Sequence, residues 1–491
     1  MRFLMLITVT AAALLALLNG CAVGPNFKKP ASPPVQGYAG APFTNTVGTS
    51  NVIGGEQQRF LTGGDIPGEW WTLFHSKPLN HLIELSLSNS PTLKAAQAAL
   101  AVAKENRLAQ KGAYYPSVTG GFAASRQKTS QLIAPTPNSG ALYFSLYTPE
   151  VNVSYVPDVF GLNRRTMESL AAQERQARFA LAAAHITLSA NVVTAAIQEA
   201  SLRGQIEATS KLVAISSNMV QTIRKQYSEG YAGRLDLAAQ EAQLAQVAAS
   251  LPVLLKQLAQ QRDLLAALSG RFPTQSPDEQ FDFASLQLPQ QLPLSLPLQL
   301  VAQRPDVRQA EESLHAASAQ VGVAVANRLP NITLTGDAGT MALEAGQIFS
   351  GPEGFWTLAG GLTQPIFRGG TLLHQERAAR AAYNEAAEQY RAVVLTAIQN
   401  VADTLHALQQ DAQVLNAAVA ARDAAKVSLD LAQEQFQAGY AGYLAFLTAE
   451  QTYQQAVMNL VLAQANRYAD TAAMFQALGG GWWHRADISK N

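Results

Sequence analysis

Seven histidines, one cysteine and an even balance of 35 basic and 35 acidic residues are the reactive side chains of this 491-residue chain, and their spacing argues against catalysis. His75, His81, His185, His315, His374, His406 and His484 are scattered, none at ligand spacing from a second histidine or a cysteine. There is no Gly-x-Ser-x-Gly, no phosphate-binding loop and no His-Glu-x-x-His. Arg304-Pro305-Asp306 could be imagined as catalytic. It reads instead as a helix start, because proline suits the first helical position and the helix dipole favours an acidic residue beside it. No enzyme, metal or cofactor is expected. No basic run stands out, so a nucleic-acid partner is not expected either.

The single cysteine points to a different chemistry. Arg2 and the apolar run from Phe3 to Leu18 form a targeting segment too short for a comfortable membrane span. It ends in Leu18-Asn19-Gly20-Cys21, which resembles a bacterial lipobox. Residues 1–20 are therefore expected to be a lipoprotein signal peptide. Cys21 would carry a thioether-linked diacylglycerol and an N-acyl chain (palmitate-type lipids), enough tails for stable anchoring. With no second cysteine, an internal disulfide is impossible. Residues 21–69, rich in Pro, Gly, Ser, Thr and Asn in their mature part, read as a lipid-anchored extended tether. No other stretch reads as a transmembrane helix, so a membrane would have to be crossed by strands. The 14% charged content, low for a soluble protein, is compatible with that.

The last residues that invite a functional reading lie in two copies of one motif. Gly230-Tyr231-Ala232-Gly233, followed by Arg234 and Asp236, returns as Gly439-Tyr440-Ala441-Gly442, followed by Tyr443 and Phe446. "SPTLKAAQAAL" (90–100) likewise returns as "RPDVRQAEESL" (304–314). Two halves of one design are expected, 70–290 and 291–478, with a flexible tail at 479–491.

Each half must position its motif with the same elements. A helix starts at Pro91 or Pro305, and two alternating strands follow, near 117–125 and 142–156, then 331–341 and 354–364. A very long helix comes next, 163–229 and 370–438, roughly 100 Å at 1.5 Å per residue. Phe179, Ala183, Ile186, Ala190, Val193, Ile197 and Ala200 step by four and three, and Leu237, Leu244, Leu251, Leu258 and Leu265 recur every seven, which is coiled-coil packing. Pro252 is expected to kink the returning helix. The Gly-Tyr-Ala-Gly motifs become the turns of two helical hairpins, with glycine ending each outgoing helix. Four strands cannot close a barrel, and lipid tolerates no open sheet edge. Three chains with four strands each would supply twelve, wide enough for a hole.

Several blocks together resemble the lipoprotein (NodT-type) branch of the TolC-like outer-membrane factors. They are "CAVGPNFKKP" after the lipobox, "WWTLFHSKPLNHLI" (70–83), "RPDVRQAEESLHAASAQVGVAVANRLPNITLTG" (304–336), "QPIFRGG" (364–370) and the paired tips. The resemblance implies an α+β membrane protein, a homotrimeric channel-tunnel. A shared 12-stranded transmembrane β-barrel would sit in the outer membrane, above a long periplasmic α-helical barrel of coiled-coil hairpins. Its partners would be a periplasmic adaptor (membrane fusion protein) and an inner-membrane pump of the RND type. The expected function is the exit duct of a tripartite efflux system. A secretion channel for polypeptides would share the fold. A lipid-anchored periplasmic coiled-coil spacer is disfavoured by two hairpins, each preceded by a strand pair.

In such a channel Gly230, Tyr231, Arg234, Asp236, Gly439, Tyr440, Tyr443 and Phe446 would form the periplasmic tip, as gate or adaptor contact. The second tip lacks an acidic residue before Glu450, so Tyr440, Tyr443 and Phe446 could close it by bulk or could pack the turn. Tyr143, Phe144, Tyr147, Tyr155, Phe355 and Trp356 fit membrane-interface girdles, and some could equally pack between subunits.

Overall fold

The computed structural model describes residues 22–31, 34–35, 37–39, 43–128, 143–350 and 354–485. Cys21 and residues 1–20, read from the sequence as a signal peptide, lie outside them.

The helices form where the sequence repeats every three to four residues, and the strands where it alternates. Helices α1 (Lys77–Asn89) and α2 (Pro91–Lys111) lead to strands β2 (Ser117–Lys128) and β3 (Tyr143–Tyr155). The short β1 (Arg59–Thr62) precedes them. Then come α3 (Leu162–Ser228) and α4 (Arg234–Leu268). The second half repeats the plan after β4 (Gln291–Leu294) and α5 (Pro297–Gln303). It has α6 (Pro305–Ala326), β5 (Asn331–Thr340), β6 (Gly354–Thr363), α7 (Thr371–Gln437) and α8 (Tyr443–Ala477).

The two outgoing helices are both 67 residues long and the two returning helices both 35, so the repeat holds to the residue in the hairpins. Equivalent positions are 214 apart at the first strand (117 to 331) and 209 apart at the outgoing helix (162 to 371). The five-residue difference therefore falls between the start of the first strand and the start of the outgoing helix.

Contacts divide the chain into two compact units that cut across the repeats. One comprises residues 1–30, 100–176 and 310–390; the other comprises 31–99, 177–309 and 391–491. The first contains a four-stranded antiparallel sheet in the order β2-β3-β5-β6. The halves meet at β3 and β5, with Glu150 opposite Gly339 and Tyr155 opposite Leu334. The outer edges, β2 and β6, have no strand neighbour among the described residues.

In the second unit β1 pairs in parallel with β4, and an aromatic core forms beside them. Trp70 stacks on Phe475 at 5.3 Å, and Phe74, Phe283 and Tyr468 surround the same centre. The expected α3 seam is buried from Phe179 to Ala200, apart from half-buried Ala183. In α4 the leucines every seven residues interleave with buried Gln240, Val247 and Leu254, which completes a three-four seam. Helix α4 runs on through Pro252, whose side chain is exposed.

Three readings of the sequence are revised. Helix α3 contains an 18-residue window of mean hydropathy 1.6, long and apolar enough to cross a membrane, although none beyond the signal segment was expected. That window is 61% buried within the chain, as befits a packed coiled-coil helix. Residues 43–62, read as tether, are packed: Thr46 and Gln58 are buried, and the Gln58 amide donates to Thr471 Oγ1 at 3.0 Å. The tail is fastened as far as Arg485. Trp482 donates to the Gln303 carbonyl at 2.6 Å, and Trp483 Nε1 donates to Asp65 Oδ1 at 3.1 Å.

Candidate functional site: a two-faced sheet and paired helical tips

Strand alternation puts every second side chain on one face. Val118 pairs with Val153, Val153 with Gly336, and Gly336 with Leu358. The row continues along the strands through Phe122, Tyr147, Val151, Tyr155, Leu334, Trp356 and Leu362, and this face is apolar. Most of these side chains are exposed, from Val153 to Leu358. An apolar exposed surface of this extent marks an interaction with lipid or protein.

The other face reads Ser117, Thr119, Thr148, Glu150, Asn152, Ser154, Thr333, Thr335, Asp337 and Thr357. The Asn152 amide donates to the Asp337 carboxylate. The two basic strand residues, Arg126 and Lys128, fall on the apolar face, where Lys128 sits 5.3 Å from the Tyr143 ring. The polar face of the described strands thus carries Glu150 and Asp337 with no basic side chain. Four of the six girdle aromatics lie on the apolar face: Tyr143, Tyr147, Tyr155 and Trp356. Phe144 and Phe355 alternate to the polar one, which removes them from an outward girdle.

The two tips are built by the same bonds. In the first, Tyr231 and Ala232 N–H donate to the Gln226 carbonyl at 2.8 and 3.3 Å; in the second, Tyr440 and Ala441 donate to Gln435 at 2.8 and 3.2 Å. Gly230 and Gly439 take φ of +83° and +78°, the left-handed geometry that a helix-ending turn requires. Gly233 N–H donates to the Asp236 carboxylate at 3.1 Å, so Asp236 acts as a helix cap. Its counterpart is Ala445, which leaves the second tip without that bond. Arg234 is exposed.

The aromatics separate into two groups. Tyr231 and Tyr440 stand 83% and 88% exposed, joined by Leu235 and Leu444. Tyr443 is 9% exposed and Phe446 fully buried, packed with Met219, Ile223, Leu429 and Phe436. Of the two roles open to Tyr443 and Phe446, packing of the turn is the one the structure supports. Tyr440, with Tyr231 as its repeat mate, stays outside this packing.

Sequence reading missed the polar centre behind this cluster. Tyr443 Oη donates to Gln240 Oε1 at 2.7 Å, Gln240 Nε2 donates to Glu450 Oε2 at 3.3 Å, and Ser216 Oγ donates to Glu450 Oε1. All four residues are buried. Burial, with Glu450 and then Asp236 adding to it, raises the Tyr443 hydroxyl pKa well above its ordinary value. A glutamine inside a predicted seam was the available signal.

A second missed centre joins α7 and α8. Burial first, then a hydrogen bond and repulsion from Asp470, push Asp411 up to about 7, against the opposing pull of Arg467. Arg467, itself buried, donates to Thr46 Oγ1 at 3.3 Å.

Arg304-Pro305-Asp306 is the helix start read from the sequence, held by a clasp. Arg304 donates to both Asp306 carboxylate oxygens at 3.0 and 2.6 Å, and to the Ala477 carbonyl at 2.9 Å. Among the described residues no group of three or more His, Cys, Asp or Glu side chains is gathered for a metal ion.

A sheet with one lipid-compatible face and one polar face, joined to long helical hairpins, defines the class: an outer-membrane channel subunit. The family model described as outer membrane efflux protein matches residues 82–271 and 296–480, one stretch in each repeat. The chain belongs to that family. It is 29% identical over 480 residues to the toluene efflux pump outer membrane protein TtgF of Pseudomonas putida, covering 96% of each chain. It is 28% identical over 456 residues to the pyoverdine export outer membrane protein OpmQ of the same species, covering 90% of this chain and 94% of that one. Among solved structures, the outer-membrane channel OprN superposes with a TM-score of 0.83 at 26% identity, over 94% of this chain and all of that one. The Campylobacter jejuni CmeC outer membrane channel shares the fold, with a TM-score of 0.83 at 22% identity over 96% and 97% of the two chains.

Proposed function

We infer that this outer-membrane protein is the exit duct of a tripartite efflux system, passively conducting small molecules expelled by an inner-membrane pump. The observation that carries the reading is the two-faced sheet, whose outer edges β2 and β6 have no strand neighbour among the described residues. Lipid tolerates neither an open edge nor unsatisfied backbone groups, so strands of several copies must close on one another. Three copies give a shared twelve-stranded barrel with the apolar face toward lipid and the polar face toward the lumen. The hairpins supply a periplasmic helical tube of similar composition from each copy. Their exposed tips, with Tyr231, Leu235, Tyr440 and Leu444, are the surface for a periplasmic adaptor, and the pump behind it is of the RND type. Cys21 carries the lipid anchor. Export and efflux proteins among the relatives support transport of small molecules over other cargo.

The test is assembly and conduction together. The purified mature protein is expected to need detergent, to run as a trimer by light scattering, and to conduct ions in planar bilayers. Mass spectrometry of its N-terminus is expected to show acylated Cys21, and Cys21→Ser to leave the precursor unprocessed. A soluble monomer that does not conduct would sink the channel reading.

A further inference from the structure

The first residues after the acylation position are held in a built site. Arg165, at the start of α3, is 4% exposed although it carries a full charge. Its Nε donates to the Val23 carbonyl at 2.9 Å, and its Nη2 to Gly24 O at 3.2 Å, Ala22 O at 3.4 Å and Asn26 Oδ1 at 2.8 Å. Glu168 accepts from Nη1 at 2.7 Å, which neutralises the buried guanidinium. A planar fork of five N–H donors can meet three successive carbonyls and an amide at once; an ammonium cannot.

The rest of the segment is held by other means. Glu168 also meets His315 Nε2 at 3.0 Å, and the His315 ring stacks on Phe27 at 4.1 Å and 9°. Lys29 pairs with Glu311 at 3.2 Å. Val23 N–H donates to the Phe160 carbonyl at 3.1 Å, beside the last turn before α3. Helix α6 makes room with Gly322. A Cβ at Gly322 would lie 2.8 Å from Arg165 Cγ, and a Cβ at Gly24 would lie 2.4 Å from Gly322 Cα. The contacts that reach residues 22–29 meet the backbone and three side chains, Asn26, Phe27 and Lys29.

We propose that Arg165, Glu168, His315 and Gly322 form a recognition site for the chain's own acylated N-terminal segment, Ala22–Lys29. Its occupancy holds Ala22 and Val23 against Phe160 and Gly161, and so fixes the chain directly after the acylation position. The anchor is thus positioned by a peptide clamp and does not trail on a free tether. The placement of lipid rests on the lipidated-channel reading above; the docking of the peptide does not. Arg165 is a positioning residue, not part of the conduit.

The experiment compares full-length wild type with Arg165→Gln, Arg165→Lys and Gly322→Val, purified in detergent. It measures hydrogen exchange along the chain and the mass of the N-terminal peptide. Wild type is expected to protect Val23 to Phe27. Arg165→Gln and Gly322→Val are expected to exchange there at least tenfold faster, with Arg165→Lys close to Arg165→Gln. The strands and long helices should exchange unchanged, and the Cys21 acyl mass should be unchanged. Free exchange in wild type, or full protection in both Arg165→Gln and Gly322→Val, would overturn the clamp. Protection with an unacylated Cys21 would leave the clamp standing and remove the lipid reading. Trimer yield in the outer membrane gives a second arm. Arg165→Gln and Cys21→Ser should each lower it, and the double variant should fall no further than the worse single one. Additive losses would break the link between clamp and anchor.

Discussion

The Tyr443 hydroxyl donates to Gln240 Oε1 at 2.7 Å across the two hairpins, inside a cluster closed to water. Its repeat neighbour three residues earlier, Tyr440, points into solvent. This division separates stability from conduction at the tip. Tyr443→Phe should lower the thermal midpoint, because Gln240 loses a buried partner worth about 1–3 kcal/mol. Phe446→Ala should cost more, about 3–5 kcal/mol. Tyr231→Ala with Tyr440→Ala should leave the midpoint nearly unchanged, within about 0.5 kcal/mol, and raise single-channel conductance. A conductance rise confined to Tyr443→Ala would contradict the assignment.

Gly230 and Gly439 have open space around them, yet both hold a left-handed φ. A valine at either is strained by backbone angle alone, by about 1–3 kcal/mol. Gly230→Val and Gly439→Val should therefore distort the turn that presents Tyr231 and Tyr440. Drug susceptibility should increase while the conductance of the isolated channel stays at the wild-type value. Unchanged efflux in both variants would remove the tip from adaptor docking.

Glu150 and Asp337 are the charges on the polar face of the described strands, and the basic pair Arg126 and Lys128 lies on the opposite face. A lumen with this lining should prefer cations. The reversal potential in a potassium chloride gradient should have the cation sign and move toward zero in Glu150→Gln with Asp337→Asn. A potential that the double substitution leaves unmoved would place selectivity elsewhere.

Asp411 gives the pH dependence a sign. Its folded pKa, about 7, lies above the ordinary 3.8, so the folded protein holds a proton that the unfolded chain has lost. This contribution to stability is full below 3.8 and lost as the pH rises to about 7. Thermal midpoints in detergent should accordingly fall across that window, by no more than about 1.4 kcal/mol per pH unit for one proton. Asp411→Asn should flatten the fall and stabilise the protein at neutral pH. A wild-type midpoint that rises over the same window would reverse the assignment.

What the sequence determined by itself is whatever repeats locally. The helix period marked α3 and α7, alternation marked the four long strands, and the paired glycines marked the turns. These patterns are legible because each residue's role follows from neighbours one to seven positions away. The duplication was legible for the same reason, since equal segments must fold into equal elements. The tertiary structure alone decided matters that depend on distant partners. Tyr440 and Tyr443 occupy one motif, and the position of α4 sends the second inward to Gln240. Phe144 and Phe355 belong to an aromatic set by composition, but strand register puts them on the polar face. Residues 22–29 have no period to read, being irregular backbone. Their order comes from Arg165, more than 130 residues away. Hydrogen bonds and close packing between segments so far apart leave no periodic trace in the chain, so only the folded molecule reveals them.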